Sequence, residues 1–236
     1  MSMDHRPIRF GEIAYPFHHG IDCTDEIVER ILAVEADRYV LIVDSVVEPL
    51  HAGPIVELLS RRAPVLTIPL PAAERTKCLD LGGTGLELAF AQGMTRRSCV
   101  LAMGGGVIGN MAGLAAALAF RGVRLVHLPT TIIAAMDSVL SLKQAVNGRL
   151  GKNLIGTFYP PTAVLVDHRW LTTLPAREVR SGLCELVKNA LAIMPESTAT
   201  LFRVARPDCR LSAADLRSLV AIAIDAKLQV MDADPR

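Results

Sequence analysis

The sequence predicts an α/β fold, with a doubly wound parallel-sheet domain over residues 1–173 and the start of a helical domain over 174–236. Three observations carry this. YVLIVD (39–44), PVLTIPL (64–70), SCVLAMG (98–104), VRLVHLP (123–129) and TAVLVD (162–167) are short, continuous and rich in branched residues, as strands buried on both faces are. Helical patterns fill the intervals at 24–34, 54–62, 76–92 and 108–120. After residue 173 the strand pattern stops and only helical periodicity continues.

Taken in order, the first helix opens at Thr24 with Asp25 and Glu26 in its first turn, an ordinary N-terminal signature. The run MGGGVIGNMAG at 103–113 joins the third strand to an alanine-rich helix. Beyond 173, LPAREVRSGLCELVKNALAIM places Val179, Leu183, Leu186, Ala190 and Met194 on one helical face, and a mostly apolar helix runs from Ser212 to about Met231. Two helices with such faces make a thin domain. The expectation is that more of it exists elsewhere or that a partner covers it.

Composition narrows the function. Half of the 236 residues are hydrophobic (51%), enough for a buried core, and the net charge is +1. No basic run points to nucleic acid or to an anionic membrane, and an aromatic content of 4% leaves little for base stacking. Cys23, Cys78, Cys99, Cys184 and Cys209 are dispersed without a CxxC pair, which reads as reduced thiols. The N-terminus reads without a signal-type apolar region, and the longest apolar stretch, around 111–120, is too short to span a bilayer. A soluble cytoplasmic protein is expected.

Gly104, Gly106 and Gly109 satisfy G-x-G-x-x-G between a strand and a helix, the context in which such a turn cradles a pyrophosphate against a helix N-terminus. A plain tight turn is the alternative. No acidic residue lies between Gly109 and Asp137, where a ribose ligand is usually found, so Asp44 at the end of an earlier strand is the better candidate. Glu74 and Lys77 are further nucleotide contacts or a solvated helical turn. Thr130 and Thr131, just past a strand, suit cofactor contact or an N-cap. In DSVLSLKQAVNGRLGKN (137–153), Asp137, Lys143, Asn147, Lys152 and Asn153 sit among apolar residues. Lysines there must reach solvent, pair with acids or bind an anion such as phosphate. Glu185 and Lys188 share a helical face with Glu178, Ser181 and Asn189, with Gly182 allowing close approach; a surface ion pair is the simpler reading.

Together GGGVIGN, FRG, PTT, DSVLSLKQAVN, GKNLIG and CELVKN resemble the sugar phosphate cyclases, the family of 3-dehydroquinate synthase, over roughly residues 40–235. The resemblance implies a Rossmann-like NAD-binding domain followed by a helical metal domain, usually in a homodimer. Asn110 stands where the dehydroquinate branch has aspartate, and Ser141-Leu142-Lys143-Gln144-Ala145 where that branch has G-G-K-T-G. The pattern looks like the branch that makes 2-deoxy-scyllo-inosose, an aminoglycoside precursor, from glucose 6-phosphate; valiolone-forming cyclases rank behind it.

By resemblance, NAD is held by Asp44, Glu74, Lys77, Gly104, Gly105, Gly106, Val107, Gly109, Asn110, Thr130, Thr131, Ser141, Leu142, Lys143, Lys152 and Asn153. Arg121, Asp137, Lys143, Asn147, Lys152, Asn153 and Lys188 meet the sugar phosphate, with Lys143, Lys188 and Asp137 catalytic, and Glu185 binds a divalent metal, Co²⁺ or Zn²⁺. The family's two histidine ligands have no counterpart, because all six histidines precede Glu185. One carboxylate cannot hold a catalytic metal, so this chain alone is expected to bind NAD weakly and not to turn over. A metal-dependent polyol dehydrogenase and a non-catalytic binding or assembly subunit stay open as alternatives.

Overall fold

The computed structural model describes residues 3–206 and 208–233, so residues 1–2, 207 and 234–236, and the side chains of Ala190, Asp232 and Ala233, lie outside the description. An antiparallel hairpin, β1 (Asp4–Phe10) and β2 (Ile13–Gly20), opens the chain. Helix α1 (Thr24–Leu32) leads to β3 (Tyr39–Asp44), α2 (Gly53–Ser60) to β4 (Val65–Leu70), α3 (Leu79–Ala91) to β5 (Cys99–Gly104), and α4 (Gly106–Leu118) to β6 (Arg124–Pro129). A second hairpin, β7 (Lys143–Gly148) and β8 (Gly151–Phe158), stands apart before β9 (Ala163–Asp167) rejoins the main sheet. The helices α5 (His168–Leu171), α6 (Ala176–Ala192), α7 (Thr198–Val204) and α8 (Ala213–Ala233) follow. No helix among the described residues is long and apolar enough to cross a membrane.

The sheet order is β1-β2-β9-β6-β5-β3-β4, parallel from β2 through β4. All five strands expected from the sequence are present within a residue of their predicted bounds. The two hairpins were not expected. β1, DHRPIRF, carries Asp4, Arg6 and Arg9 and alternates exposed with less exposed residues, as an edge strand does, and β8, KNLIGTF after its glycine, is exposed along nearly its whole length.

Pleating divides the core. Leu41, Val43, Leu101 and Met103 face α1 and α2, packing against Ile27, Ile31, Ile55 and Leu59. Val40, Ile42, Val100 and Ala102 face the opposite way, onto Ile108, Met111, Ala112 and Ala115 of α4. Helix α4 is apolar all round because the β7–β8 hairpin covers its outer side, where Val146 joins the same cluster. The late helices share a core with the sheet: Leu186, Leu216, Leu219 and Val220 pack with Phe17, Val164 and Val166.

Two partly exposed ion pairs also join α8 to the edge hairpin. Arg6 pairs with Asp225, and Arg217 with Asp4. Beneath these pairs His19 Nδ1 shares a hydrogen bond of 3.0 Å with His168 Nε2, both rings buried. Burial holds His19 down to about 4 and His168, with cationic neighbours adding to the effect, to about 3; His127, under α4, is held to about 4. An unfolded histidine protonates near 6.5, so between about 6.5 and 4 the unfolded chain binds more protons and stability falls as the pH falls. Urea midpoints should therefore drop from pH 7.5 to pH 5, with a slope on the order of 1.4 kcal/mol per pH unit per histidine. A midpoint independent of pH would contradict this burial.

Candidate functional site

Strand order reverses between β3 and β5: the chain goes from β3 outward to β4, then returns to the other side of β3 as β5. Neighbouring connections diverge there, leaving a crevice at the carboxyl ends of the strands. A cavity of about 1120 Å³ occupies it, bounded by Asp44, Gly105, Gly106, Thr130 and Thr131 on the sheet side and by Lys143, Gln144 and Asn153 on the hairpin side.

The turn after β5 is shaped for close approach. A Cβ on Gly104 would lie 2.9 Å from Ile108 Cβ, so glycine is what lets α4 begin at Gly106 directly over the strand. The first turn of α4 carries unpaired N–H groups and the positive end of the helix dipole, and Gly105, Gly106 and Val107 line the cavity. Asp44 caps β3 beside it; burial lifts its carboxyl above the usual range, opposed by a 2.9 Å bond from the Val46 N–H. The two threonines divide the alternatives. Thr131 Oγ1 accepts from the Ala134 N–H at 3.1 Å as a local cap, whereas Thr130 Oγ1 is buried at the cavity with no partner among the described residues. An orphaned hydroxyl, a glycine cradle and a carboxylate at the strand end together fit a dinucleotide.

The hairpin forms the facing wall through a polar clasp. A register irregularity between Val146 and Gly148 frees the Asn147 N–H, which donates to Lys77 O at 2.8 Å. Asn147 Nδ2 donates to Glu74 Oε1 at 3.0 Å and its Oδ1 accepts from the Asn153 N–H at 2.9 Å. Asn153 has φ 56, a left-handed value that asparagine tolerates, and its Oδ1 accepts from Lys77 Nζ at 2.6 Å. Lys77 is 7% exposed, and burial lowers its pKa. Glu74 is held below its ordinary value by the Asn147 hydrogen bond and by Lys152 and Lys77. Asn110 ties the hairpin to α4: its Nδ2 donates to Gly106 O at 2.8 Å and its Oδ1 accepts from the Ala145 N–H at 3.0 Å. An aspartate there could not donate to the Gly106 carbonyl. Lys143, exposed on the cavity wall, makes no ion pair with any described residue.

At the helical end, Asp137 lines the cavity and meets Lys227 Nζ of α8 at 2.8 Å. Glu178 of α6 also lines it, and α6 crosses closely because a Cβ on Gly182 would lie 2.7 Å from Ile132. Glu185 is engaged by Lys188. Among the described residues no group of three His, Cys, Asp or Glu side chains could hold a metal ion.

A sequence profile described as 3-dehydroquinate synthase N-terminal matches residues 67–181. A 2-deoxy-scyllo-inosose synthase of Streptoalloteichus tenebrarius is 49% identical over 96% of this chain. A solved 2-deoxy-scyllo-inosose synthase, in complex with carbaglucose-6-phosphate, NAD+ and Co2+, superposes with a TM-score of 0.90 at 37% identity, covering 97% of this chain and 63% of its own. Over residues 67–181 the chain matches the 3-dehydroquinate synthase family. A 2-epi-5-epi-valiolone synthase from Streptomyces hygroscopicus subsp. jinggangensis 5008, with NAD+ and Zn2+ bound, follows at TM-score 0.83 and 27% identity, over 97% of this chain and 64% of its own. This chain spans 59% of the Streptoalloteichus relative's length.

The structure sorts the positions assigned through that family's motifs. Asp44, Glu74, Lys77, Gly105, Gly106, Val107, Asn110, Thr130, Thr131, Asp137, Ser141, Lys143 and Asn153 line the one cavity. Gly104, Gly109 and Leu142 are buried beneath it and shape it by packing. Five further assigned positions lie outside that lining. Arg121 follows the C-terminus of α4, at the end remote from Gly106, with φ 68 and an exposed side chain. Asn147 spends its amide on the clasp, and Lys152 is 72% exposed and pairs with Glu74 at 3.6 Å. Lys188, on α6, is drawn to Glu185 and lies outside the cavity lining, as Glu185 itself does. The sequence reading missed Ser138, Gln144, Lys227 and the rim pair His51 and Thr173, joined at 2.9 Å. Lys227 left a faint signal as a lone ammonium in the apolar second half of α8.

Two glycines separate scaffold from site. Gly104→Ala should destabilise by about 1–3 kcal/mol through overpacking on Ile108. Gly106→Ala, whose Cβ meets Ser138 Oγ at a tolerable 3.4 Å, should melt near wild type yet weaken dinucleotide binding. Thermal melts and NADH fluorescence titrations read both, and equal melting temperatures for the two variants would contradict the assignment.

Proposed function

We propose that this chain provides the dinucleotide-binding half and part of the substrate site of a 2-deoxy-scyllo-inosose synthase-type cyclase. The substrate is glucose 6-phosphate and the setting is aminoglycoside biosynthesis in the cytoplasm. The observation that carries the reading is that the Gly104–Gly109 turn, Asp44 and Lys143, which pairs with no acid among the described residues, bound the same cavity. Sequence identity of 49% to a relative of that name supports the choice of branch.

Bound NAD would supply a reversible hydride acceptor for C4 of the sugar, making the neighbouring C5 proton acidic enough for β-elimination of the C6 phosphate. The chain's own groups then have distinct tasks. Asp44 suits the ribose hydroxyls, and the α4 N-terminus with Thr130 suits the pyrophosphate. Lys143, a compact cation with three donors, suits the departing phosphate. Asp137, held by Lys227, offers a carboxylate to the sugar hydroxyls, and Asn153 is locked by Lys77 beside them. Glu185 would contribute one ligand to a divalent metal, Co²⁺ or Zn²⁺. A homodimer is part of the proposal; Leu88, Phe90, Leu118 and Phe120 give it an exposed apolar patch.

The test uses this chain alone and as a chimera carrying the C-terminal remainder of the Streptoalloteichus relative. With glucose 6-phosphate, NAD and Co²⁺, the chain alone should bind NAD without turnover. The chimera should release phosphate with no net NADH, and Lys143→Ala should lower that rate by about 100-fold or more. Net NADH accumulation would point instead to a polyol dehydrogenase. A chimera that binds NAD but shows neither signal would favour a non-catalytic subunit.

A further inference from the structure

Ser138 ends a π-helical turn, Ala134–Ser138, that follows β6 and lies beside the first residue of α4. Its Oγ is shut off from solvent and has no hydrogen-bond partner among the described residues, although the residue lines the cavity. The position is specific: Ser138 Oγ lies 3.4 Å from where a Cβ on Gly106 would stand. Hydroxyls around it are occupied. Thr131 Oγ1 accepts from the Ala134 N–H at 3.1 Å, and Ser141 Oγ donates to the Ser138 carbonyl at 3.2 Å. Serine commonly satisfies itself by capping or by bonding back to its own turn, and Ser138 does neither. A buried hydroxyl without a partner is a net destabilising feature that alanine would remove, so its presence calls for a ligand atom to complete it.

The chemistry of that atom follows from the surroundings. Ser138 Oγ and Thr130 Oγ1, both orphaned, line the same cavity as Gly105 and Gly106. The N–H groups of the first α4 turn favour an anion between them. We propose that Ser138 is a further cofactor-contact residue, its hydroxyl donating to the pyrophosphate of the dinucleotide where it crosses Gly105 and Gly106. The inference rests on the dinucleotide reading above and adds a residue outside the positions assigned through the family motifs.

The test is a titration of wild type, Ser138→Ala and the near-isosteric Ser138→Cys with NADH, NAD⁺ and ADP-ribose, alongside ligand-free melting curves. Ser138→Ala should bind all three ligands about 10-fold more weakly, the scale of one hydrogen bond to a charged group. Its ligand-free melting temperature should stay level or rise, and Ser138→Cys, a poor donor, should weaken binding in the same direction. ADP-ribose must lose as much as NADH, because it keeps the pyrophosphate and lacks the nicotinamide. Unchanged affinity in Ser138→Ala, an unaffected ADP-ribose, or a lowered ligand-free melting temperature overturns the proposal. If wild type binds the ligands and the variants match it, only Ser138 is refuted. A wild-type chain that binds none of the three removes the dinucleotide reading and this proposal together.

Discussion

The reversal of strand order beside β3 decides where anything can bind. Because β4 and β5 flank β3 on opposite sides, the connections leaving Asp44 and Gly104 pass to opposite faces of the sheet, through α2 and α4, and leave the space between them unfilled. The sheet alone would leave an open notch. The β7–β8 hairpin closes one side of it, held through Asn147, Asn153 and Lys77 on one flank and Asn110 on the other. Apart from the Asn153–Asn147 bond within the hairpin, these bonds join segments distant in sequence, so the wall is fixed only once α4 and the 71–78 loop are in place.

The polar groups at this wall differ in energetic character. Those in the clasp are mutually satisfied: a bulged N–H finds a carbonyl, a buried ammonium finds an amide oxygen, and a left-handed backbone falls on asparagine. Asp44 and the hydroxyls of Thr130 and Ser138 are not balanced in this way. Desolvated groups without full partners destabilise the free protein and favour a ligand that completes them. The clasp supplies rigidity, and the incomplete groups supply affinity. Helix α8 reaches the same cavity from behind: its contact with β1 rests mainly on Leu216, Leu219 and Val220, since half-exposed ion pairs such as Arg6–Asp225 add little, but Lys227 carries it through to Asp137.

Much of the scaffold was legible in the sequence, because doubly buried strands are continuous apolar runs and few other structures produce them. The surroundings of the cavity were legible where backbone geometry demands a residue type, as at Gly104, or where the family motif is ordered, as at Lys143 on its wall. The rest was hidden for physical reasons. β8 is exposed almost throughout and β7 carries a bulge, so KQAVNGRLGKNLIGTF has no clean period of two. Asn147 and Lys152 have the chemistry of ligand contacts, and only the fold shows that Asn147 is spent on Glu74 and Asn153, and Lys152 on Glu74. Lys227 is ninety residues from Asp137, a separation no local pattern bridges. Ser138 is unremarkable in DSVLS, since an absent partner is invisible until the surroundings are known.

Lysine footprinting with and without the dinucleotide tests the arrangement most directly. Reductive methylation of the native chain, read by mass spectrometry, reports the access of Lys143, Lys152 and Lys188 side by side. Lys143, on the cavity wall facing the Gly104–Gly109 turn, should lose reactivity when NAD⁺ is added, while Lys152 and Lys188, outside the cavity lining, stay as they were. Protection of Lys152 with Lys143 left reactive would place the cofactor on the other side of the hairpin and contradict the account.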